Sequence, residues 1–231
     1  MKHIVFLTGA GMSAESGIST FRDSNGLWEQ YDVREVASIE GWYRNPDLIL
    51  KFYNDRRAQL REVEPNEGHK IIAALEKDLQ VTVVTQNVDD LHERAGSSRV
   101  IHLHGELTKV CNENKTLIYD IGTGVINPGD KAEDGSRLRP FIVWFGETVP
   151  LIERAAEIVS TADIVVIIGT SMQVYPAAGL IHYAKGGIPV YLIDPNPVDS
   201  SSYLQVEIIR EKAGKGMTIL REKLYKNGRL F

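Results

Sequence analysis

Short apolar runs rich in β-branched residues recur along the whole chain: His3-Ile4-Val5-Phe6-Leu7, Val81-Thr82-Val83-Val84-Thr85, Val100-Ile101-His102-Leu103, Ile142-Val143-Trp144-Phe145, Ile164-Val165-Val166-Ile167-Ile168 and Val190-Tyr191-Leu192-Ile193. They lack a strict apolar–polar alternation, which marks strands covered on both faces. Helical patterns lie between many of them. Residues 68–78 carry Ile71, Ile72, Ala74 and Leu75, residues 151–160 carry Ile152, Ala155, Ala156 and Val159, and 176–185 and 217–225 complete the set. Strand alternating with helix predicts an α/β fold, a doubly wound Rossmann-like parallel sheet. Two stretches break the rhythm. Residues 31–64 read as charged helix without a strand, and 107–139 are polar and rich in Gly, Asp, Asn and Lys. They predict a small lobe formed by two insertions, with the Rossmann-like domain assembled from 1–30, 65–106 and 140–231.

The bulk properties narrow the function classes. The 231 residues suffice for one large core with an appended lobe. A net charge of −5 argues against a nucleic-acid partner. Cys111 is the one cysteine, so no internal disulfide forms and a reducing compartment fits. The first apolar run is too short for a secretory signal, and no run approaches a membrane span. The expectation is a cytoplasmic protein without membrane contact; its oligomeric state is not legible.

The first run feeds Gly9-Ala10-Gly11-Met12-Ser13-Ala14, a glycine-rich turn of the kind that cradles a pyrophosphate. Positive φ at Gly9 and Gly11, and a helix opening near Met12, would bring free amides to the same space. A dehydrogenase would place an acidic residue at the end of a second strand about 20 residues on. Glu29 and Asp32 lie near that distance, but no apolar strand precedes them. The phosphate grip is therefore expected without hydride transfer.

Open α/β sheets bind ligands beyond the carboxyl ends of their strands. Those ends carry Thr85-Gln86-Asn87-Val88-Asp89-Asp90, His104-Gly105-Glu106, Gly169-Thr170-Ser171 and Asp194-Pro195-Asn196. Each is also ordinary turn chemistry; together they point to one crevice. His102 and His104 lie two apart and share a strand face. They fit a hydrogen-bonded pair, a metal pair lacking a third ligand, or a general base. The strand-end position before Gly105 favours His104 for the last role.

The chain resembles the sirtuins, NAD-dependent protein-lysine deacylases. The likeness rests on Gly9-Ala10-Gly11-Met12-Ser13 with Ser16-Gly17-Ile18, on Thr20-Phe21-Arg22, Thr85-Gln86-Asn87-Val88-Asp89, His104-Gly105, Phe145-Gly146-Glu147, and Gly169-Thr170-Ser171 with Val174-Tyr175-Pro176-Ala177. It implies that the Gly9–Ser13 backbone, Gly169, Thr170 and Ser171 hold the pyrophosphate, and that Ala10, Phe21 and Arg22 belong to the cofactor loop. Gln86 and His104 would contact the nicotinamide ribose, and Asn87 and Asp89 the carboxamide. Asn196 or Asp194 would stand in at the adenine ribose, where the family's Asn-x-Glu is replaced. His104 would be the catalytic base, with Asn87 and Asp89 completing the catalytic set. Acyl-lysine peptides would lie as an added strand along Val143, Phe145, Gly146, Glu147, Val174 and Tyr175. The implied reaction yields nicotinamide, free lysine and 2′-O-acyl-ADP-ribose.

Two departures carry information. The family's Cys-x-x-Cys zinc pairs are reduced to Cys111, with Asn114, Ala132 and Gly135 at the other places, so no zinc is expected. Leu117, Ile118, Tyr119, Ile121, Val125 and Ile126 are candidates for an apolar patch in its stead. Ser19-Thr20-Phe21-Arg22 and Tyr53-Asn54-Asp55-Arg56 resemble class III members. Tyr53 and Arg56 share a helix face at i, i+3 and imply a clamp for an acidic acyl group such as succinyl or malonyl. The alternatives are an NAD-dependent protein ADP-ribosyltransferase and a non-catalytic NAD or ADP-ribose sensor.

Overall fold

The computed structural model describes residues 1–18, 31–170, 174–196, 206–226 and 229–230. Phe21, Arg22 and Ser171 lie outside them. In chain order the main elements are β1 (His3–Thr8), α1 (Val33–Val36), α2 (Ile39–Arg44), α3 (Pro46–Gln59), α4 (Glu67–Ala74), β2 (Gln80–Thr85), α5 (Leu91–Arg94), β3 (Val100–His102), β4 (Gly105–Cys111), β5 (Ile118–Asp120), β6 (Arg139–Ile142), α6 (Ile152–Thr161), β7 (Ile164–Ile168), β8 (Val190–Ile193), β9 (Val206–Ile209) and α7 (Ala213–Leu224).

The expected parallel sheet is present, in the order β3-β2-β1-β7-β8-β9. Its register aligns the carboxyl ends: Thr8 pairs with Thr85 and Ile168, Thr85 with His102, and Ile168 with Ile193. The turns that follow therefore open on one edge. The missing alternation has its cause here. Ile4, Phe6, Val81, Val83, Val166 and Ile168 pack with Ile71, Ile72, Met217 and Leu220 of α4 and α7. Their neighbours Val5, Leu7, Val84, Val165 and Ile167 pack on the other face with Ala155 and Val159 of α6 and with Leu180 and Ile181. Each such side chain contributes roughly 1.5–3 kcal/mol on burial.

Several elements differ from the sequence reading. The run at 142–145 is not a strand: β6 spans Arg139–Ile142. Phe145 instead donates its amide to Ala37 O and accepts from the Ile39 amide. The stretch at 176–185 forms a 3-10 helix, Ala177–Tyr183. No α-helix opens at Met12; two single 3-10 turns, Ala10–Met12 and Ala14–Ser16, follow β1. Gly9 has φ −127°, so positive φ is not what that position needs. A Cβ on Gly11 would lie 2.6 Å from Gly169 Cα: the glycines let the β1 and β7 turns touch.

Helix α4 opens with a capping box. Asn66 Oδ1 accepts from the amides of Gly68 and His69, and His69 Nδ1 accepts from the Asn66 amide. His69 is buried edge-on to His92, with ring centroids 4.8 Å apart. Burial pushes His69 down to about 4 and His92 well below the ordinary imidazole range. A folded-state value below the unfolded one gives stability above pH ~6.5 that is lost as the pH falls toward 4. From His69 alone the loss between pH 7 and pH 5 is about 2 kcal/mol. Urea titrations of His69→Gln against the unsubstituted protein should show a stability curve flatter by that amount; equal slopes contradict it.

The smaller antiparallel sheet runs β5-β4-β6. It shares a third core with the first insertion: Trp42, Ile49, Leu50, Phe52 and Tyr53 meet Leu107, Val110, Ile126, Ile142 and Trp144. The apolar patch expected over 117–126 is only partly realised. Ile126 is buried and Tyr119 and Ile121 pack on this core, but Ile118 and Val125 are 48% and 60% exposed. Asn112 does more: buried, it donates to Thr116 Oγ1 and Asp134 and accepts from the amides of Thr116 and Leu117. Cys111 is a buried thiol pushed up to about 11 by desolvation, ill suited to binding metal.

Candidate active site

The aligned strand ends bring a compact polar cluster together. Asn87 Nδ2 donates to Ser13 Oγ at 3.1 Å, and Ser13 Oγ donates to Asp89 Oδ2 at 2.9 Å. The Leu91 amide donates to Asp89 Oδ1, and the Asn87 amide donates to Thr85 Oγ1. Gln86 donates from its backbone to Thr8 O and from its side chain to Thr170 Oγ1. The predicted Ser13, Gln86, Asn87, Asp89, His104 and Thr170 thus meet beside the Gly9–Gly11 and Gly169 turns. Asn87 and Asp89 are buried. Desolvation raises the Asp89 carboxyl, while the Leu91 and Ser13 hydrogen bonds hold it back.

His104 follows β3 at the crevice. Its Nδ1 lies 3.1 Å from Gln86 O. A carbonyl only accepts, so Nδ1 carries the proton and Nε2 keeps a lone pair. Burial moves the imidazole below its ordinary value, against the bond to Gln86, so the neutral form prevails at pH 7. The next residue must be glycine: Gly105 has φ +84°, and a Cβ there would strike Phe141 O.

The Tyr53–Arg56 pair sits on α3. The buried Tyr53 hydroxyl accepts from Trp144 Nε1 at 3.0 Å. The Arg56 guanidinium carbon lies 5.8 Å from the centroids of both the Phe52 and Tyr53 rings. Burial lowers the Arg56 value, and the interactions with Tyr53 and Asp89 oppose that.

The peptide-side residues divide. Phe145, Val174 and Tyr175 are exposed large apolar groups, and Gly146 is exposed. The Val143 amide donates to His104 O. The Glu147 carboxylate turns inward instead, accepting from Arg139, Lys115 and the Trp144 amide, and its own amide donates to Trp144 O. Asn196 is exposed beyond β8, its amide donating to Asp194 Oδ1. It does not join the Ser13–Asp89 cluster. Sequence reasoning assigned Ser13 only a backbone role; its hydroxyl links Asn87 to Asp89, and only tertiary structure could show that.

A glycine turn at the centre of a doubly wound sheet, with an amide, a carboxyl and a neutral imidazole at the same edge, defines a nucleotide-binding protein equipped for proton transfer. Residues 9–176 match the Sir2 family model, and the chain belongs to that family. A Bacteroides thetaiotaomicron protein named NAD-dependent protein deacylase is 57% identical over 97% of this chain and 98% of its own length. A Helicobacter pylori protein of the same name is 53% identical over 97% and 98%. Among solved structures, a mutant Sir2 homologue in complex with ADP-ribose superposes with TM-score 0.87 at 40% identity, covering 95% of this chain and 90% of that one. A Sir2 homologue–NAD complex gives 0.87 at 39% identity, with coverage of 96% and 89%.

Proposed function

We propose that this protein removes acyl groups from lysine side chains of proteins, consuming NAD and releasing nicotinamide and 2′-O-acyl-ADP-ribose. The observation that carries the reading is the contact of His104 Nδ1 with Gln86 O, which assigns the proton to Nδ1 and leaves Nε2 as the acceptor at the sheet edge beside the Asn87–Ser13–Asp89 cluster. The crevice suits the cofactor, because buried amide, hydroxyl and carboxyl groups converge where glycines keep the backbone open. NAD, when bound, supplies a glycosidic carbon that becomes electrophilic as nicotinamide leaves, and a ribose hydroxyl that receives the acyl group. Asn87 and Asp89 hold the carboxamide. Gln86 and His104 face the ribose, and His104 Nε2 takes the hydroxyl proton. The Gly9–Ser13 turn with Gly169 and Thr170 would hold the phosphates; the family resemblance assigns Ser171 to the same task and Phe21 and Arg22 to the cofactor loop, and Asn196 would serve the adenine ribose. The peptide adds as a strand between Gly146 and Val174–Tyr175; Phe145 has given its backbone groups to Ala37 and Ile39. We assign 31–64 and 107–139 to the small lobe. Three of the four sulfur ligands of a structural zinc are replaced, by Asn114, Ala132 and Gly135, and no step involves a metal. Among the described residues no helix is long and apolar enough to cross a membrane.

The acyl group has an acidic end. Arg56, set against the Phe52 and Tyr53 rings, offers a planar guanidinium to an incoming carboxylate, and Tyr53, whose hydroxyl burial keeps protonated, supplies a second bond. A charge-assisted pair of this kind is worth about 1.5–3 kcal/mol. Mass spectrometry of acetyl-, succinyl- and malonyl-lysine peptides incubated with NAD tests both levels. All three should be deacylated, and Arg56→Met should slow desuccinylation roughly 10–100-fold more than deacetylation. Untouched peptides reject the activity; equal losses reject the clamp.

A further inference from the structure

One short segment of chain grips the whole nicotinamide-side turn. The carbonyls of Gln86, Asn87 and Val88 are each bound by residues 102–107. Gln86 O receives His104 Nδ1 at 3.1 Å, Asn87 O receives His102 Nδ1 at 2.9 Å, and Val88 O receives the Leu107 amide at 2.7 Å. The first of these belongs to the general base and the last is backbone. The middle one is a side chain with no other duty in the reaction.

His102 is buried, and its second nitrogen is also engaged: Nε2 lies 2.8 Å from Glu93 Oε1 of α5. A carbonyl and a carboxylate are both acceptors, so both ring nitrogens carry protons and His102 is an imidazolium. Burial opposes that charge, but the Glu93 hydrogen bond and charge, with smaller help from Asn87 O and Glu106, outweigh it and hold His102 above the ordinary imidazole range. A charged donor makes a stronger bond than a neutral one. It lands on the peptide unit that carries Asn87, whose side chain reaches Ser13 and thereby Asp89. The bond fixes the backbone of the 87–89 turn, from which both Asn87 and Asp89 project toward Ser13.

We propose that His102 and Glu93 form a positioning dyad for the nicotinamide end of the cofactor, fixing the Asn87 carbonyl so that Asn87 and Asp89 are aimed at the carboxamide before NAD arrives. The inference rests on the NAD-dependent reading above. It adds residues that touch neither cofactor nor substrate. Pre-aiming matters because an amide or carboxyl misplaced by even an ångström forfeits much of its effect on a reacting centre.

The two nitrogens can be separated. An asparagine amide nitrogen superposes on Nδ1 of histidine, and a glutamine amide nitrogen on Nε2. His102→Asn therefore keeps the donor to Asn87 O, and His102→Gln keeps only the donor to Glu93. The readout is calorimetric affinity for NAD against ADP-ribose, which lacks the nicotinamide, together with deacylation of an acetyl-lysine peptide. His102→Gln should weaken NAD about tenfold and slow turnover, with ADP-ribose affinity unchanged; His102→Asn, a neutral donor to Asn87 O without the Glu93 link, should lose less, several-fold on NAD as Glu93→Ala should, and likewise spare ADP-ribose. The Glu93 side chain is 42% exposed, so Glu93→Ala keeps the question open to measurement if the buried substitutions fail to fold. It should weaken NAD several-fold and spare ADP-ribose. Equal losses for NAD and ADP-ribose, or a His102→Gln protein like the unsubstituted one, overturn the dyad. An unsubstituted protein that binds NAD yet deacylates nothing overturns the functional reading alone, since the NAD-to-ADP-ribose comparison still judges the dyad.

Discussion

His104→Ala is expected to slow deacylation of an acetyl-lysine peptide by a factor on the order of 10²–10⁴, the usual contribution of a positioned general base. The substitution removes the lone pair at Nε2 and the bond from Nδ1 to Gln86 O. It leaves the Ser13–Asn87–Asp89 links and the Val143 amide bond to the residue 104 backbone in place. ADP-ribose affinity should accordingly change by no more than about threefold, because the phosphate turns are untouched. The pH profile of kcat/KM carries the same information. A base works only when deprotonated, and burial holds His104 below the ordinary imidazole value. Activity of the unsubstituted protein should therefore be flat through pH 7 and fall on an acid limb whose apparent midpoint lies below 6.5, the ordinary value. The residual activity of His104→Ala should lack that limb. An alanine variant within tenfold of the unsubstituted protein, or an unchanged acid limb, places the proton acceptor elsewhere.

How much of this was legible follows from how local each signal is. The strands β1, β2, β7 and β8 are continuous β-branched runs buried on both faces, so their apolar content alone declares them. β4 hides, because Gly105–Cys111 includes half-buried Glu106, Thr108 and Lys109 on a small sheet with one solvated face. β6 hides behind Arg139 and Pro140, and its apparent continuation through Phe145 is apolar for a different reason: Trp144 fills the small-lobe core. Helix α5 is four residues long, too short for any periodicity. At the site, the strand-end polar residues were readable because the parallel sheet puts all such ends on one edge. The partners of each were not. Ser13 meets Asp89 across 76 positions of sequence, and the inward turn of Glu147 depends on Arg139 and Lys115. The sequence favoured His104 as the base but gave His102 no task of its own; the Glu93 contact, on an unforeseen helix, supplies one.

Arg57→Met should destabilise the fold by roughly 3–5 kcal/mol, the range for breaking a buried charge's set of partners. Arg57 is fully buried on α3 and pairs with no carboxylate among the described residues, and desolvation lowers it to about 10, which still leaves it charged at pH 7. Oxygen acceptors take the place of a counter-ion: Nε donates to Leu107 O at 2.7 Å, and one terminal nitrogen donates to Asn54 Oδ1 at 2.7 Å and Gly124 O at 3.1 Å. Those partners span both insertions. Asn54 extends the clasp by donating to Ile126 O and accepting from the Ile126 amide, and Arg61 adds bonds to Thr123. The loop at 123–126 is thus fastened to α3 by side chains, in the part of the chain where sulfur ligands other than Cys111 are missing. Methionine keeps the bulk of the arginine stem and strands the buried Leu107 carbonyl, worth about 1–3 kcal/mol unsatisfied, together with the half-buried acceptors at Asn54 and Gly124. Urea unfolding should show the loss as a lower midpoint, and thermal unfolding as a fall on the order of 10 °C for a chain of this size. A strong chelator should leave both midpoints of the unsubstituted protein where they are, because the clasp needs no metal. A midpoint that drops on chelation, or an Arg57→Met protein as stable as its parent, would show that something other than this arginine secures the second insertion.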